Sequence, residues 1–170
     1  MQGAGIAVAS EGPGRQFAFM QIRFGQLQDA TAAVAVLRGS IRELCHADHL
    51  GDADRIESWL ANKTPKAWAL WIANPDARVY AATDSGRILG VGMMTTSGEI
   101  LLNYVLPAAR FQGVSKALIG AMEAEAVALG LDTCSLDSTR TAEAFYLAPG
   151  YRPVAGASER VPRKLLKVAG

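Results

Sequence analysis

Apolar positions recur along this chain with two different periods, and the switch between them marks out its elements. Phe17 to Phe24 (FAFMQIRF) is dense in large apolar residues and reads as a first strand. Asp29 stands where a helix N-cap would stand. Ala30 to Cys45 then carries Ala33, Val36, Leu37, Ile41 and Leu44 at helical spacing. Asp52 to Ala61 predicts a second, short helix with Ile56, Trp59 and Leu60 on one side. Pro65 opens a third through Trp68, Leu70 and Trp71, ending near Asn74 and Pro75. Beyond this point the period shortens. Arg78 to Thr83, Ile88 to Thr96 and Glu99 to Leu106 are extended runs, separated by Asp84-Ser85-Gly86 and Ser97-Gly98, the hairpin signal for an antiparallel meander. Pro107 closes the third run. Val114 to Leu129 predicts a long helix, its turns marked by Leu118, Met122, Glu125 and Leu129 and its stop by Gly130. Thr133 to Leu136 is a short strand and Thr141 to Leu147 a short helix ended by Pro149-Gly150. Tyr151 to Val154 and Val161 to Val168 predict two last strands, and Arg163, Lys164 and Lys167 suit the second to an exposed edge.

A doubly wound chain alternates strand and helix throughout, and this one does not. The order predicts an α+β fold, with a mixed, mostly antiparallel sheet of about six or seven strands flanked by helices. Residues 17–170 read as a single domain. Residues 1–16, small and Gly-rich around Glu11-Gly-Pro-Gly14, read as a flexible extension. Half of the 170 residues are apolar and 19% are charged, which suits a globular chain. Net charge is +1, from 17 basic and 16 acidic residues. No basic excess points to nucleic acid or an anionic membrane, and no apolar run is long enough to span a bilayer. Cys45 and Cys134 sit in no metal or redox spacing, so a reducing cytoplasm fits. The cluster Cys45-His46-Ala-Asp48-His49 lacks the distant third ligand that a metal centre requires, so no metal is expected.

The chemically informative stretch runs from Tyr104 to Leu118. A strand ends, a loop with a single glycine follows, and a long helix begins. The first turn of a helix carries N–H groups with no internal partner, and its dipole favours negative charge, so such a junction can cradle phosphate. Gly113 removes the side chain where approach is closest, Ser115 is small and can donate a hydroxyl, and Arg110, Gln112 and Lys116 add charge or donors. Neither the P-loop pattern nor the dinucleotide fingerprint is present. A plain loop-to-helix entry is the competing reading of Gly113 and Ser115.

Arg110-Phe-Gln-Gly113-Val-Ser115 resembles the pyrophosphate loop of the Gcn5-related N-acetyltransferase superfamily, in which Gln or Arg is followed at the third position by Gly and at the fifth by Gly or Ala. Two departures stand out: Ser115 at the last small position, and Phe111 where Gly is frequent. Val105-Leu-Pro107 resembles the strand end before that loop. Leu136 to Tyr151, with Ala142, the pair Phe145-Tyr146, Gly150 and Tyr151, resembles the family's next motif. The resemblance spans Ile22 to Val154 and implies the acyl-CoA N-acyltransferase fold, with acetyl-CoA as co-substrate and no metal. It implies that Arg110 and the N–H groups of Gln112, Gly113, Val114, Ser115 and Lys116 hold the pyrophosphate. Tyr104 and Val105 would pair with the pantetheine arm like an added strand.

In the same resemblance Tyr146 is the general acid for the departing thiolate, against a plain core tyrosine beside Phe145. Asn103 would orient a water or the substrate. Glu99, expected on the same face of the strand as Asn103, is a candidate base, against a solvated hairpin charge. Ser138 and Ala142 would lie along the cofactor, Ser138 competing as a helix cap with its neighbour Asp137. His46, Asp48 and His49 would serve as acceptor-pocket or base residues, against a polar helix-end loop, and Trp71 would line the acceptor site, against a core tryptophan. The implied reaction moves the acetyl group to a primary amine of a small molecule, by direct attack with both substrates bound. A protein N-terminus or lysine as acceptor, and a non-catalytic acyl-CoA sensor, are the rival readings. Near-neutral charge argues against an aminoacyl-tRNA acceptor. A homodimer is common for this type of fold.

Overall fold

The computed structural model describes residues 19–154, together with the backbone of Ile6–Ala7 and Arg163–Val168. The rest of the 1–16 extension lies outside the described residues. In chain order the elements are β1 (Ile6–Ala7), β2 (Gln21–Phe24), α1 (Ala30–Leu44), α2 (His46–His49), α3 (Ala53–Leu60), α4 (Pro65–Ala73), β3 (Ala77–Asp84), β4 (Arg87–Thr95), β5 (Glu99–Val105), α5 (Val114–Ala128), β6 (Thr133–Ser138), α6 (Glu143–Leu147), β7 (Arg152–Pro153) and β8 (Arg163–Val168). The strands form one sheet of eight in the order β1-β2-β3-β4-β5-β6-β8-β7. Every neighbouring pair is antiparallel except β5–β6. The α+β fold with a mixed, mostly antiparallel sheet is therefore present, and the strand beyond the expected seven is the two-residue β1. β8 is not the edge its lysines suggested. It lies between β6 and β7, because the chain after Tyr151 lays Arg152–Pro153 against its outer side.

Helices cover both faces of the sheet. On one face α5 presents Val114, Leu118, Ile119 and Met122 to Leu89, Met94, Ile100 and Leu136. On the other, α1 and α4 bring Ala33, Val36, Leu37 and Trp68 onto Val79, Val91, Met93 and Leu102. β4 lies at the centre, and its residues from Ile88 to Met94 are all buried. Two of them are glycines for a packing reason. A Cβ on Gly90 would stand 2.7 Å from Val114 Cγ1, and one on Gly92 would stand 3.2 Å from Met122 Cε. The missing side chains let α5 sit close on the sheet, with its first turn over the end of β4.

The helix starts follow local chemistry. Asp52 accepts the Arg55 N–H at 2.9 Å to open α3, and Thr64 accepts the Ala67 N–H at 3.1 Å to open α4, with Pro65 at the first position. Asp29 differs from expectation. It precedes α1 but makes no cap bond to it. Its carboxylate instead accepts the Gln26 N–H and both Arg23 nitrogens, at 2.7–2.8 Å, which fixes the turn between β2 and α1. Among the described residues no helix is long and apolar enough to cross a membrane. Cys45 and Cys134 are both buried, and neither is in a disulfide.

Candidate active site

β5 and β6 start side by side and then part. Only Glu99–Ser135 and Ile100–Leu136 are paired, so from Leu101 onward the β6-facing edge of β5 has no strand against it. The opposite edge of β5 remains bonded to β4 as far as Val105. A bulge shapes this strand further. Met94 pairs with Ile100 and Met93 with Leu102, leaving Leu101 as the extra residue. Ile100 therefore faces α5 and Leu102 faces α1. The inserted residue also resets the alternation. Asn103 lies on the α5 side and Tyr104 on the α1 side, while Glu99 falls on the face opposite Asn103. The expectation that Glu99 and Asn103 share a face is thus corrected: spacing by four holds only in an unbulged strand.

The opening left by the parted strands meets the first turn of α5. After a 3-10 turn over Pro107–Ala109, Phe111 and Gly113 both take left-handed backbone, at φ 64° and 81°. Glycine adopts this freely; phenylalanine is strained in it. No side chain caps α5, and its first backbone bond runs from Ala117 N–H to Gly113 C=O. The N–H groups of Val114, Ser115 and Lys116 precede the helical ladder, and all three residues line the opening. A cleft of about 560 Å³ joins these features and is walled by the end of α1, β5, the Arg110–Lys116 loop, the end of β6 and α6. Arg110 and Lys116 lie at the α5 end, and among the described lining residues Asp137 on β6 is the one carboxylate. Phe111 is 89% exposed, and the Arg110 guanidinium lies 4.4 Å from its ring centroid.

Three of the expected site residues converge on one point. Asn103 Nδ2 donates to Ser115 Oγ at 2.7 Å and to the Tyr146 hydroxyl at 3.2 Å. Tyr146 comes from α6, where its ring packs edge-on against Phe145 and Tyr151. Burial pushes the Tyr146 phenol up to about 12, against a smaller opposing effect of the Asn103 bond. At neutral pH the phenol therefore keeps its proton, and the oxygen that accepts from Asn103 has that proton free to donate elsewhere. Asn103 Oδ1 is buried and meets no donor, so a ligand N–H has an acceptor waiting in the cleft. Tyr104, bonded to Trp59, is likewise raised by burial, and burial pushes the Cys45 thiol up to about 12, far from a nucleophilic thiolate.

The remaining expected residues divide. Val105, Arg110, Gly113, Val114, Lys116 and Ala142 line the cleft with Tyr104. Gln112 and Ser138 do not; Gln112 Nε2 donates to Ala108 C=O at 3.4 Å, and Ser138 is buried with its hydroxyl on Thr139 C=O. Glu99 is not a lining residue either. The acceptor-site candidates lie elsewhere. His49 is 2% exposed; its Nδ1 accepts the Gly51 N–H, so its Nε2–H donates to Ile41 C=O, both at 3.0 Å. It ties a carbonyl in the last turn of α1 to the left-handed turn at Leu50–Gly51 and has no nitrogen left for a substrate. His46 is exposed outside the cleft, and Trp71 packs against Trp68 and the α1-side core. Sequence reasoning missed that Cys45, Ser40 and Leu44 at the end of α1 form this wall, and that Asp48 reaches across to Arg140 and Thr141. No local spacing signals either.

The family model described as acetyltransferase (GNAT) domain matches residues 47–164. The chain belongs to the GNAT acetyltransferase family. Its GNAT fold is shared by solved structures at low identity. A GCN5-related N-acetyltransferase from Rhodopseudomonas palustris is 22% identical, with a TM-score of 0.76 over 86% of this chain and 94% of that one. The PaiA N-acetyltransferase from Thermoplasma acidophilum, solved with coenzyme A, is 18% identical, with a TM-score of 0.74 over 88% and 98%. A GNAT acetyltransferase from Brucella melitensis, solved with acetyl-CoA, is 19% identical, with a TM-score of 0.62 over 89% and 88%. No curated protein matches the chain.

Proposed function

We propose that this GNAT domain transfers the acetyl group of acetyl-CoA to a primary amine of a small molecule, with both substrates bound together. The observation that carries the reading is the Tyr146 hydroxyl, held by Asn103 in the cleft where β5 and β6 part. The residues present fit the co-substrate. The uncapped N–H groups of Val114, Ser115 and Lys116, with Arg110 and Lys116 beside them, suit a diphosphate. The unpaired edge of β5 at Tyr104 and Val105 suits an extended amide-bearing arm, and Asn103 Oδ1 suits one of its N–H groups. Acetyl-CoA supplies an activated acyl group whose leaving atom is a thiolate.

Tyr146 donates its proton to that leaving sulfur, and Asn103 keeps the hydroxyl aimed by donating to its oxygen. Asp137, the one carboxylate among the described lining residues, attracts the acceptor as an ammonium ion and takes a proton as it becomes the attacking amine. Glu99, on the opposite face of β5, has no part in this. A small acceptor is favoured over a protein one because Asp48 joins the α2 wall to the loop before α6, so the cleft is bridged rather than an open groove. A screen of small primary amines and of N-terminal and lysyl peptides with acetyl-CoA, read by thiol release, tests the proposal. Turnover confined to small amines is expected. Turnover confined to peptides overturns the acceptor class, and tight CoA binding with no turnover on any amine identifies a sensor.

A further inference from the structure

Asp48 is bonded to a segment 92 and 93 residues away in sequence. Its carboxylate accepts the Arg140 N–H at 2.7 Å, the Thr141 N–H at 3.3 Å and the Thr141 hydroxyl at 2.5 Å. The two sides of this bridge belong to two walls of one cleft. Cys45, three residues before Asp48, lines it from the α1 side, and Thr139, Thr141 and Ala142 line it from the β6–α6 loop. That loop leads into α6, which has five residues and no side-chain cap of its own. A helix this short does not hold itself in place. Its placement depends on Tyr151 docking behind it and on the anchor of the loop ahead of it. Asp48 is that anchor.

We propose that Asp48 is a positioning residue for Tyr146: by pinning the β6–α6 loop to α2, it fixes α6 where the Tyr146 hydroxyl meets Asn103. The inference rests on the acid role proposed above for Tyr146. A proton donor displaced by about 1 Å can lose on the order of a hundredfold in rate, so a loosened α6 is visible in kcat. The bridge's three hydrogen bonds include none to the Arg110–Lys116 loop, so affinity for CoA is expected to change less than kcat.

The test compares Asp48→Ala, Asp48→Asn and Thr141→Val in the full chain. Asp48→Ala is expected to lower kcat about tenfold or more, with a smaller change in KM for acetyl-CoA. It also raises hydrogen exchange at the Tyr146 amide, which bonds to Ala142 C=O, while α5 amides keep their protection. Asp48→Asn keeps one oxygen for the bridge but turns its amide N–H toward one of the two backbone N–H donors, so it is expected to recover only part of kcat. Thr141→Val, which removes one bond of the three, shows a smaller loss in the same direction and carries the test if Asp48→Ala does not fold. Two results overturn the proposal: kcat unchanged in Asp48→Ala, or unchanged exchange at Tyr146. If the wild-type chain acetylates no amine, the function fails separately, and exchange at Tyr146 decides the positioning role alone.

Discussion

At its α5 end the cleft is made of backbone: a strand edge left unpaired, a glycine in left-handed conformation, and N–H groups that precede a helical ladder. At its other end it is made of side chains drawn from distant segments, the end of α1 and the loop before α6, which Asp48 ties to α2. The first construction depends on local geometry, and so it leaves a local pattern, a proline, a glycine and a small residue at fixed offsets. The second depends on which loops meet, and nothing in either loop alone reveals it. A cofactor common to a family can be held by the first kind of wall, while the acceptor is met by the second.

Variants can break or sharpen this contrast. The largest effect belongs to Tyr146→Phe, where the two ends meet. Loss of the proton donor is expected to lower kcat about a hundredfold or more with CoA affinity unchanged, measured by steady-state rates beside calorimetric titration of CoA. Unchanged kcat removes the acid assignment. Alkaline pH comes next. Burial raises the Tyr80, Tyr104 and Tyr151 phenols above their ordinary value, carries Tyr146 to about 12 from 10.0, and carries Cys45 to about 12 from 9.0. The stability these groups support is complete below the ordinary values and is lost as pH climbs through the folded-state ones. Urea midpoints should hold to about pH 9 and then fall steeply toward pH 12; a flat profile across that window contradicts the buried phenols.

Gly90→Ala tests the backbone end. The added methyl meets Val114 Cγ1 at 2.7 Å and Tyr104 C=O at 3.1 Å, so α5 must lift from the sheet. A loss of about 1–3 kcal/mol in unfolding free energy is expected, together with weaker CoA binding, because the N–H groups move with the helix. His49→Ala tests the other end. It removes one buried and one part-buried hydrogen bond and should cost about 1–3 kcal/mol of stability, read by urea unfolding, while KM for the acceptor stays near wild type. A rise in acceptor KM alone would return His49 to the substrate. The smallest effect is that of Glu99→Gln, on the face of β5 away from Asn103: rate and stability should both match wild type.

The elements were legible apart from β1 and the short α2, which reads as a polar helix-end loop. Helix starts at Asp52 and Thr64-Pro65 obey capping rules, and Gly130 stops α5 in left-handed conformation, so short-range chemistry drew them where the periodicity did. The bulge at Leu101 was not legible. Ile100, Leu101 and Leu102 are consecutive aliphatics, and in such a run an inserted residue leaves no break in the alternation, which is why spacing alone puts Glu99 on the wrong face. The interior position of β8 was hidden for a related reason, since its lysines and arginine say nothing of a two-residue strand folding over its far side. At the site, Ser115 and Tyr146 were readable from the motifs that hold them, and Asn103 was named from its spacing with Glu99, although only the fold brings the three within hydrogen-bond distance. His49 misled because a polar residue at a helix end looks the same whether it faces a substrate or caps a carbonyl.

The direct test is an amide chemical-shift titration of the ¹⁵N-labelled chain with CoA, and in parallel with pantetheine, which lacks the diphosphate. CoA should shift the amides of Gly113, Val114, Ser115 and Lys116 most strongly, and pantetheine should move Tyr104 and Val105 while leaving those four in place. If CoA binds and the four amides stay where they are, the first turn of α5 does not clasp the diphosphate.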